Sequence, residues 1–319
     1  MHLLGEPTRV ADAGGTDSTS AAAVELELEQ LVERGDWQKL RPGAFAEASV
    51  AADAHARQRR DGDMPDMTGL GKVSTLDRFA HSMKVLQRIW GSLTLDGRTE
   101  AVKVALDQEL VAASIPPLEG VTTIPAKKHP ASFDYKTWKV TLRREFLEGS
   151  TVGDEDAADL CGTLAHEIRH GEQQFLTARV LAAKGQSAAE IHVTLKGLYM
   201  PVATQAVARK LKGLAGAELA YARRMHTALV TDRQITDILD QDTGYAELDA
   251  ARERGATVLE GLRRRPPTVS IEEARATCRE LRDRIEDVLL KYKIYRQFPT
   301  EADSHDVGAG AKLAFQEIE

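Results

Sequence analysis

The chain has 319 residues, a formal net charge of −7, two cysteines and no run of 18 apolar residues. The acidic balance argues against a nucleic-acid partner, two cysteines cannot build a disulfide framework, and the short apolar runs argue against membrane insertion. Met1-His2-Leu3-Leu4-Gly5-Glu6-Pro7 lacks the charged start and long apolar stretch of a secretory signal. A cytoplasmic location is therefore the default expectation, and signal-independent export is compatible with it.

Residues 1–20 are rich in Gly, Ser, Thr, Asp and Ala without a periodic apolar pattern, and read as a flexible tail. Val24, Leu28, Leu31 and Val32 predict a helix from Ser20 to Arg34, stopped by Gly35. An Ala-rich helix follows from about Ala44 to Arg60, then a loop from Asp61 to Gly71. That loop suggests a helical N-terminal extension over 21–70 and a body over 71–319. The basic clusters Arg57 to Arg60 and Arg263-Arg264-Arg265 read as solvated helix ends or loops.

Leu76, Phe79, Met83, Leu86, Ile89 and Trp90 mark an amphipathic helix over 75–90, and another is expected over 99–113. Pro116-Pro117 then breaks helix. Trp138, Val140 and Leu142 alternate with Lys139, Thr141 and Arg143, which is a strand pattern. A shorter strand at Ala131 to Phe133 would turn into it through Asp134 to Thr137.

Ala157, Leu160, Cys161, Leu164 and Ile168, with Phe175 beyond, recur at helical spacing, after an acidic run Asp154-Glu155-Asp156 suited to a helix N-terminus. This helix carries His166-Glu167-Ile168-Arg169-His170. At 100° per residue the two histidines fall together on the side opposite Leu164, Ile168 and Phe175, with Thr163 and Gln173. Neutral imidazoles four apart on one helix face can grip one Zn²⁺, leaving room for a water whose proton Glu167 can take. The bland alternative is two solvated histidines on an amphipathic helix.

After Phe175 the pattern is almost wholly helical, with helices expected at about 187–197, 201–212, 214–240, 245–264 and 271–298. In the last, Ile271, Ala274, Cys278, Leu281, Ile285, Val288, Tyr292 and Tyr295 alternate steps of three and four. Such a heptad stripe packs along a neighbouring helix, and an intramolecular partner is expected. The fold class expected is α+β, predominantly α-helical, with a small sheet before the histidine helix and a large helical insertion at about 185–297.

Two histidines do not complete a catalytic zinc site. The leading candidate for the third ligand is Glu301, where Pro299 ends the heptad helix, Thr300 can cap a new one, and a glutamate stands in its first turn. Asp303, His305 and Glu218 stay open as alternatives, as does the reading of Glu301 as a helix-capping acid.

Three segments together resemble the zincin metallopeptidases, in particular the gluzincin branch: the strand pair around Ala131 to Leu142, the motif Leu164 to His170, and the segment Pro299 to Gly308. The resemblance implies a zincin-like catalytic core, a Zn²⁺ cofactor held by His166, His170 and Glu301, and a peptide or protein substrate paired with the edge strand Ala131-Ser132-Phe133. Many gluzincins carry an aspartate four residues after the ligand glutamate to hold a histidine ligand. His305 stands there, so Asp303 or Asp306 is expected to take that role.

The chemistry expected is peptide hydrolysis, with Glu167 as general base and His305 donating to the developing oxyanion. Tyr292, Tyr295, Tyr199 and His226 are weaker candidates for the donor. A zinc amidase with Cys278 as third ligand is one rival. A helical binding or scaffold protein with a structural or vestigial zinc site is another. The helical bulk also suits a peptidase delivered into another cell as an effector or toxin.

Overall fold

The computed structural model describes residues 21–33, 42–125, 131–231 and 245–318. The tail expected over 1–20 and the end of the helix expected over 214–240 lie outside the described residues. The chain divides into two compact units, one drawing on residues 1–37 and 244–289 and the other on 38–243 and 290–319.

In the smaller unit, helices α1 (Ala21–Glu33) and α10 (Tyr245–Arg263) pack together with the first part of α11 (Ile271–Arg296). The heptad stripe is buried there at Ala274, Cys278, Leu281, Ile285 and Val288. Steps of four and three on α1 bury Val24, Leu28 and Leu31, so each helix supplies one apolar face. Ion pairs rim the seam: Arg263 with Glu25 and Glu29, Arg282 with Glu27, and Arg254 with Glu280.

The larger unit contains α2 (Pro42–Arg60), α3 (Val73–Ile89), α4 (Leu95–Ala112), strands β1 (Gly120–Ile124), β2 (Ala131–Asp134) and β3 (Lys139–Arg143), α5 (Glu145–Glu148), α6 (Asp154–Ala183), α7 (Ala188–Thr194), α8 (Met200–Arg209), α9 (Gly216–His226) and α12 (Pro299–Gln316). Residues 42–60 thus belong with the body, whereas the loop at 61–71 had suggested a boundary beyond them. The predominantly helical α+β class agrees with this architecture.

The sheet order is β1-β3-β2, with β1 parallel and β2 antiparallel to β3. β2 is therefore an edge strand, and it lies against α6. Asp134 builds the connection to β3: its carboxylate accepts from the Lys136 amide at 2.9 Å and the Thr137 hydroxyl at 2.7 Å. Trp138 follows with φ of 57°, unusual for a bulky side chain. Its full burial and the indole N–H donated to the Pro116 carbonyl at 3.1 Å compensate that strain.

The 30-residue helix α6 is the axis of the unit. Its apolar face, with Leu160, Leu164, Ile168 and Phe175, joins Trp138 of the turn and Val140 and Leu142 of β3 in one core. α12 lies along α6 and brings Val307, Ala311 and Phe315 into the same core. The start of α12 departs from the expectation: Pro299 opens it at the first position, Phe298 is the cap, and Thr300 sits inside the first turn. Proline is suited to that place because its fixed φ matches the helix and its missing N–H would have had no partner.

Candidate metal centre

His166 and His170 emerge from α6 on the side facing α12, and Glu301 reaches them from the first turn of α12. Their Nε2 atoms stand 3.1 Å apart. Glu301 Oε1 lies 3.4 Å from His170 Nε2, and Oε2 lies 3.8 Å from His166 Nε2. Ligand atoms on a tetrahedral zinc, with bonds of about 2.0–2.1 Å, stand roughly 3.3 Å apart. The first two separations match that figure, whereas the two Glu301 contacts are made by different oxygens. Taken one atom per residue, the three ligand atoms lie within 4.8 Å of one another, so the carboxylate would have to close toward His166 for one ion to be held. The three residues form a group able to hold a metal ion. Two imidazoles and a carboxylate are a donor set that suits zinc and several other divalent metals alike.

The histidine side chains are 16% and 20% exposed and Glu301 is 9% exposed, so the group opens on one side rather than being sealed. Burial pushes the Glu167 carboxyl up to about 7; nearby His170 lowers it, Glu301 raises it, and the backbone N–H of Phe133 on β2 donates to it and lowers it. Burial opposes charge on His170, but the Glu301 and Glu167 carboxylates outweigh it and raise the imidazole pKa.

The other candidates for the third ligand are not part of this three-residue group. Glu218 pairs with Lys72 at 3.0 Å. Asp303 is turned into an ion pair with Arg169, Nε to Oδ2 at 2.7 Å and Nη2 to Oδ1 at 3.1 Å. The His305 ring lies tilted against His166, centroids 4.5 Å apart and planes at 57°. Cys278 belongs to the smaller unit, where it is buried in the heptad stripe. Cys161 is buried on α6, its thiol directed to the Ala311 carbonyl. Of the weaker oxyanion candidates, His226 meets Lys184 Nζ at 3.0 Å, Tyr199 bonds Glu119, and Tyr295 packs edge-on to Phe298. The Tyr292 side chain lies outside the described residues.

Neither aspartate expected to orient a histidine does so by direct contact with His170. Asp306 turns to Arg59 at 2.9 Å and His55 at 3.4 Å. Gln173 bonds His170 instead, its Oε1 lying 3.1 Å from Nδ1. Its Nε2 faces the Thr300 carbonyl, Asp303 Oδ2 and Ser304 Oγ at 2.9, 3.0 and 3.1 Å. Asp303 is the hub behind it, accepting also from the Tyr221 hydroxyl at 2.7 Å.

Arg169, inside the motif, is wholly buried and bonds Asp303, Glu172 and the Thr68 carbonyl, with its guanidinium over the Tyr221 ring at 4.3 Å. Burial raises the Asp303 carboxyl, but Arg169, Tyr221 and Gln173 together hold it below the usual carboxylate range. Gly69 lets the backbone pass over this network: a Cβ there would collide with Glu172 Oε1, which leaves the neighbouring Leu70 amide free to donate to Glu172 at 3.1 Å. Helix phase had put Gln173 on the cleft face; nothing in the spacing marked Arg169 or Tyr221 as its support.

Comparison of the chain with protein-family models, with curated proteins and with solved structures returns no match. No described helix is long and apolar enough to cross a membrane.

Proposed function

We propose that this chain is a zinc-dependent hydrolase of peptide bonds with a gluzincin-like ligand set. The observation that carries the reading is the buried carboxylate of Glu167 beside a partly open His166–His170–Glu301 group whose ligand atoms lie within 4.8 Å of one another, the two imidazoles at ligand separation. An open three-residue site suits catalysis, whereas structural zinc sites are closed by four protein ligands. This favours the peptidase over the helical scaffold with a structural metal.

When bound, zinc would supply Lewis acidity and acidify a water at the fourth position. Glu167 takes the proton of the attacking water and hands it to the leaving amine nitrogen. Its carboxyl, pushed up to about 7, is matched to accepting and returning a proton near neutrality. His305, whose ring lies beside that of His166, donates to the developing oxyanion. The open edge of β2 takes an extended substrate by backbone pairing, and the Phe133 amide on that strand orients the Glu167 carboxylate.

The test is metal content by elemental analysis of wild type, His166→Ala and Glu301→Ala, followed by cleavage of a broad peptide library with and without chelator. One zinc per wild-type chain, lost in both variants and accompanied by chelator-sensitive cleavage, is the expected result. A wild type that binds zinc through these residues and cleaves nothing would move the reading to a metal-binding helical protein.

A further inference from the structure

Four polar contacts beside the metal group converge on one amide. Gln173 lies three residues after His170, on the same face of α6, so its side chain needs no help from another element to reach the imidazole. A glutamine can face either its oxygen or its nitrogen toward a neighbour, and here the surroundings decide. On one side stand the Thr300 carbonyl and the Asp303 carboxylate, which only accept, with the Ser304 hydroxyl beside them. The NH₂ group must face these. Oε1 is then left facing His170 Nδ1 at 3.1 Å, the shorter of that nitrogen's two contacts, the Ser304 hydroxyl lying 3.4 Å off; an amide oxygen only accepts. His170 must carry its proton on Nδ1, which frees the lone pair of Nε2, the atom that faces His166 and Glu301.

We propose that Gln173 is a positioning residue that sets the tautomer and ring orientation of His170 before any metal arrives, and that the Arg169–Asp303 pair holds Gln173 in that pose. The inference rests on reading His166, His170 and Glu301 as a metal site. The second layer is well suited to the task. Asp303 receives both Nε and Nη2 of a fully buried Arg169 and the hydroxyl of Tyr221, so its carboxylate cannot turn away. A histidine ligand is oriented here by a residue of its own helix, and the acid of the neighbouring helix acts one step further out.

The experiment uses the full chain, labelled with ¹⁵N-histidine, and long-range ¹H–¹⁵N spectra of the metal-free protein at a pH where the imidazoles are neutral. The His170 signals are assigned by their loss in His170→Ala. Wild type is expected to show His170 with Nδ1 protonated and Nε2 bare. Gln173→Met, of similar length but without the amide, is expected to show mixed tautomers. Its affinity for zinc ion, read by competition with a chromophoric chelator, is expected to fall about 10–100-fold.

An Nε2-protonated His170 in wild type would overturn the proposal outright, even if Gln173→Met fails to fold. So would a zinc affinity in Gln173→Met within twofold of wild type, or a loss of affinity with the tautomer unchanged, which would mark a merely structural residue. If wild type binds no zinc at all, the hydrolase reading fails, while the wild-type spectrum still decides the role of Gln173.

Discussion

Gly162 and Gly308 face each other where α6 and α12 cross: a Cβ on Gly162 would lie 2.8 Å from the Gly308 carbonyl oxygen, and one on Gly308 would lie 2.9 Å from that of Gly162. No larger residue fits either place without separating the helices. A Cβ on Gly308 would also lie 3.3 Å from the Cβ of His166, one of the three residues of the candidate metal group. The close crossing is what lets a short glutamate side chain on α12 reach two histidines on α6.

Gly308→Leu is therefore expected to destabilise the fold by about 1–3 kcal/mol, the usual cost of forcing extra atoms into a packed interior. It should also weaken zinc binding, because Glu301 is carried away from the histidines. Denaturant unfolding and a zinc titration on the same preparation check both parts. Full zinc affinity in a destabilised variant would mean that Glu301 does not depend on this crossing.

Arg169 is wholly buried between Asp303 and Glu172, so removing it leaves two carboxylates buried without their cation. Arg169→Met should cost about 3–5 kcal/mol in urea unfolding. Arg169→Lys should recover little of this, since one ammonium cannot reproduce the paired Nε and Nη2 donors to Asp303. A loss below about 1 kcal/mol in the methionine variant, the scale of an exposed ion pair, would show that the network is replaceable.

Glu167→Gln keeps the size of the side chain and removes its proton acceptor. Zinc content should stay at the wild-type level, because Glu167 is outside the ligand group. Peptide turnover should fall by about 10²–10⁴-fold, the usual contribution of a positioned general base. Retained turnover in this variant would rule out the proposed role.

His226, at the end of α9, has its pKa lowered by burial and by the Lys184 ammonium 3.0 Å from Nε2. In the unfolded chain it returns to its ordinary value near 6.5, so the unfolded state takes up the proton first as the pH falls. Stability is accordingly full above pH 6.5 and declines as the pH drops through the lowered folded value. His226→Gln should flatten that part of the stability curve, measured by chemical unfolding of the metal-free protein at neutral and mildly acidic pH. An unchanged slope in the variant would assign the acid sensitivity to other groups.

The histidine helix, its apolar face, the shared side of His166 and His170, and the short strand pair before it were legible because each depends on local periodicity. The heptad stripe was legible for the same reason, and its buried positions run from Ala274 to Val288. The parallel pairing of β1 with β3 was not, since it joins strands separated by β2 and leaves no mark in either pattern. The domain division was equally hidden: α1 belongs with α10 and α11, more than 200 residues away, through side-chain packing that no loop composition announces.

The sequence by itself determined which side chains are offered together, because His166, Glu167 and His170 share a helix whose geometry is the same wherever it packs, and because the helix break at Pro299 puts Glu301 at the start of a new helix. The tertiary structure alone decided which acid meets the histidines and which residue orients them. Glu301, Asp303 and Asp306 follow one another within two turns of α12, and each points in a different direction; the angle at which α12 crosses α6 at Gly162 and Gly308 sends the first to the histidines, the second to Arg169 and the third to Arg59.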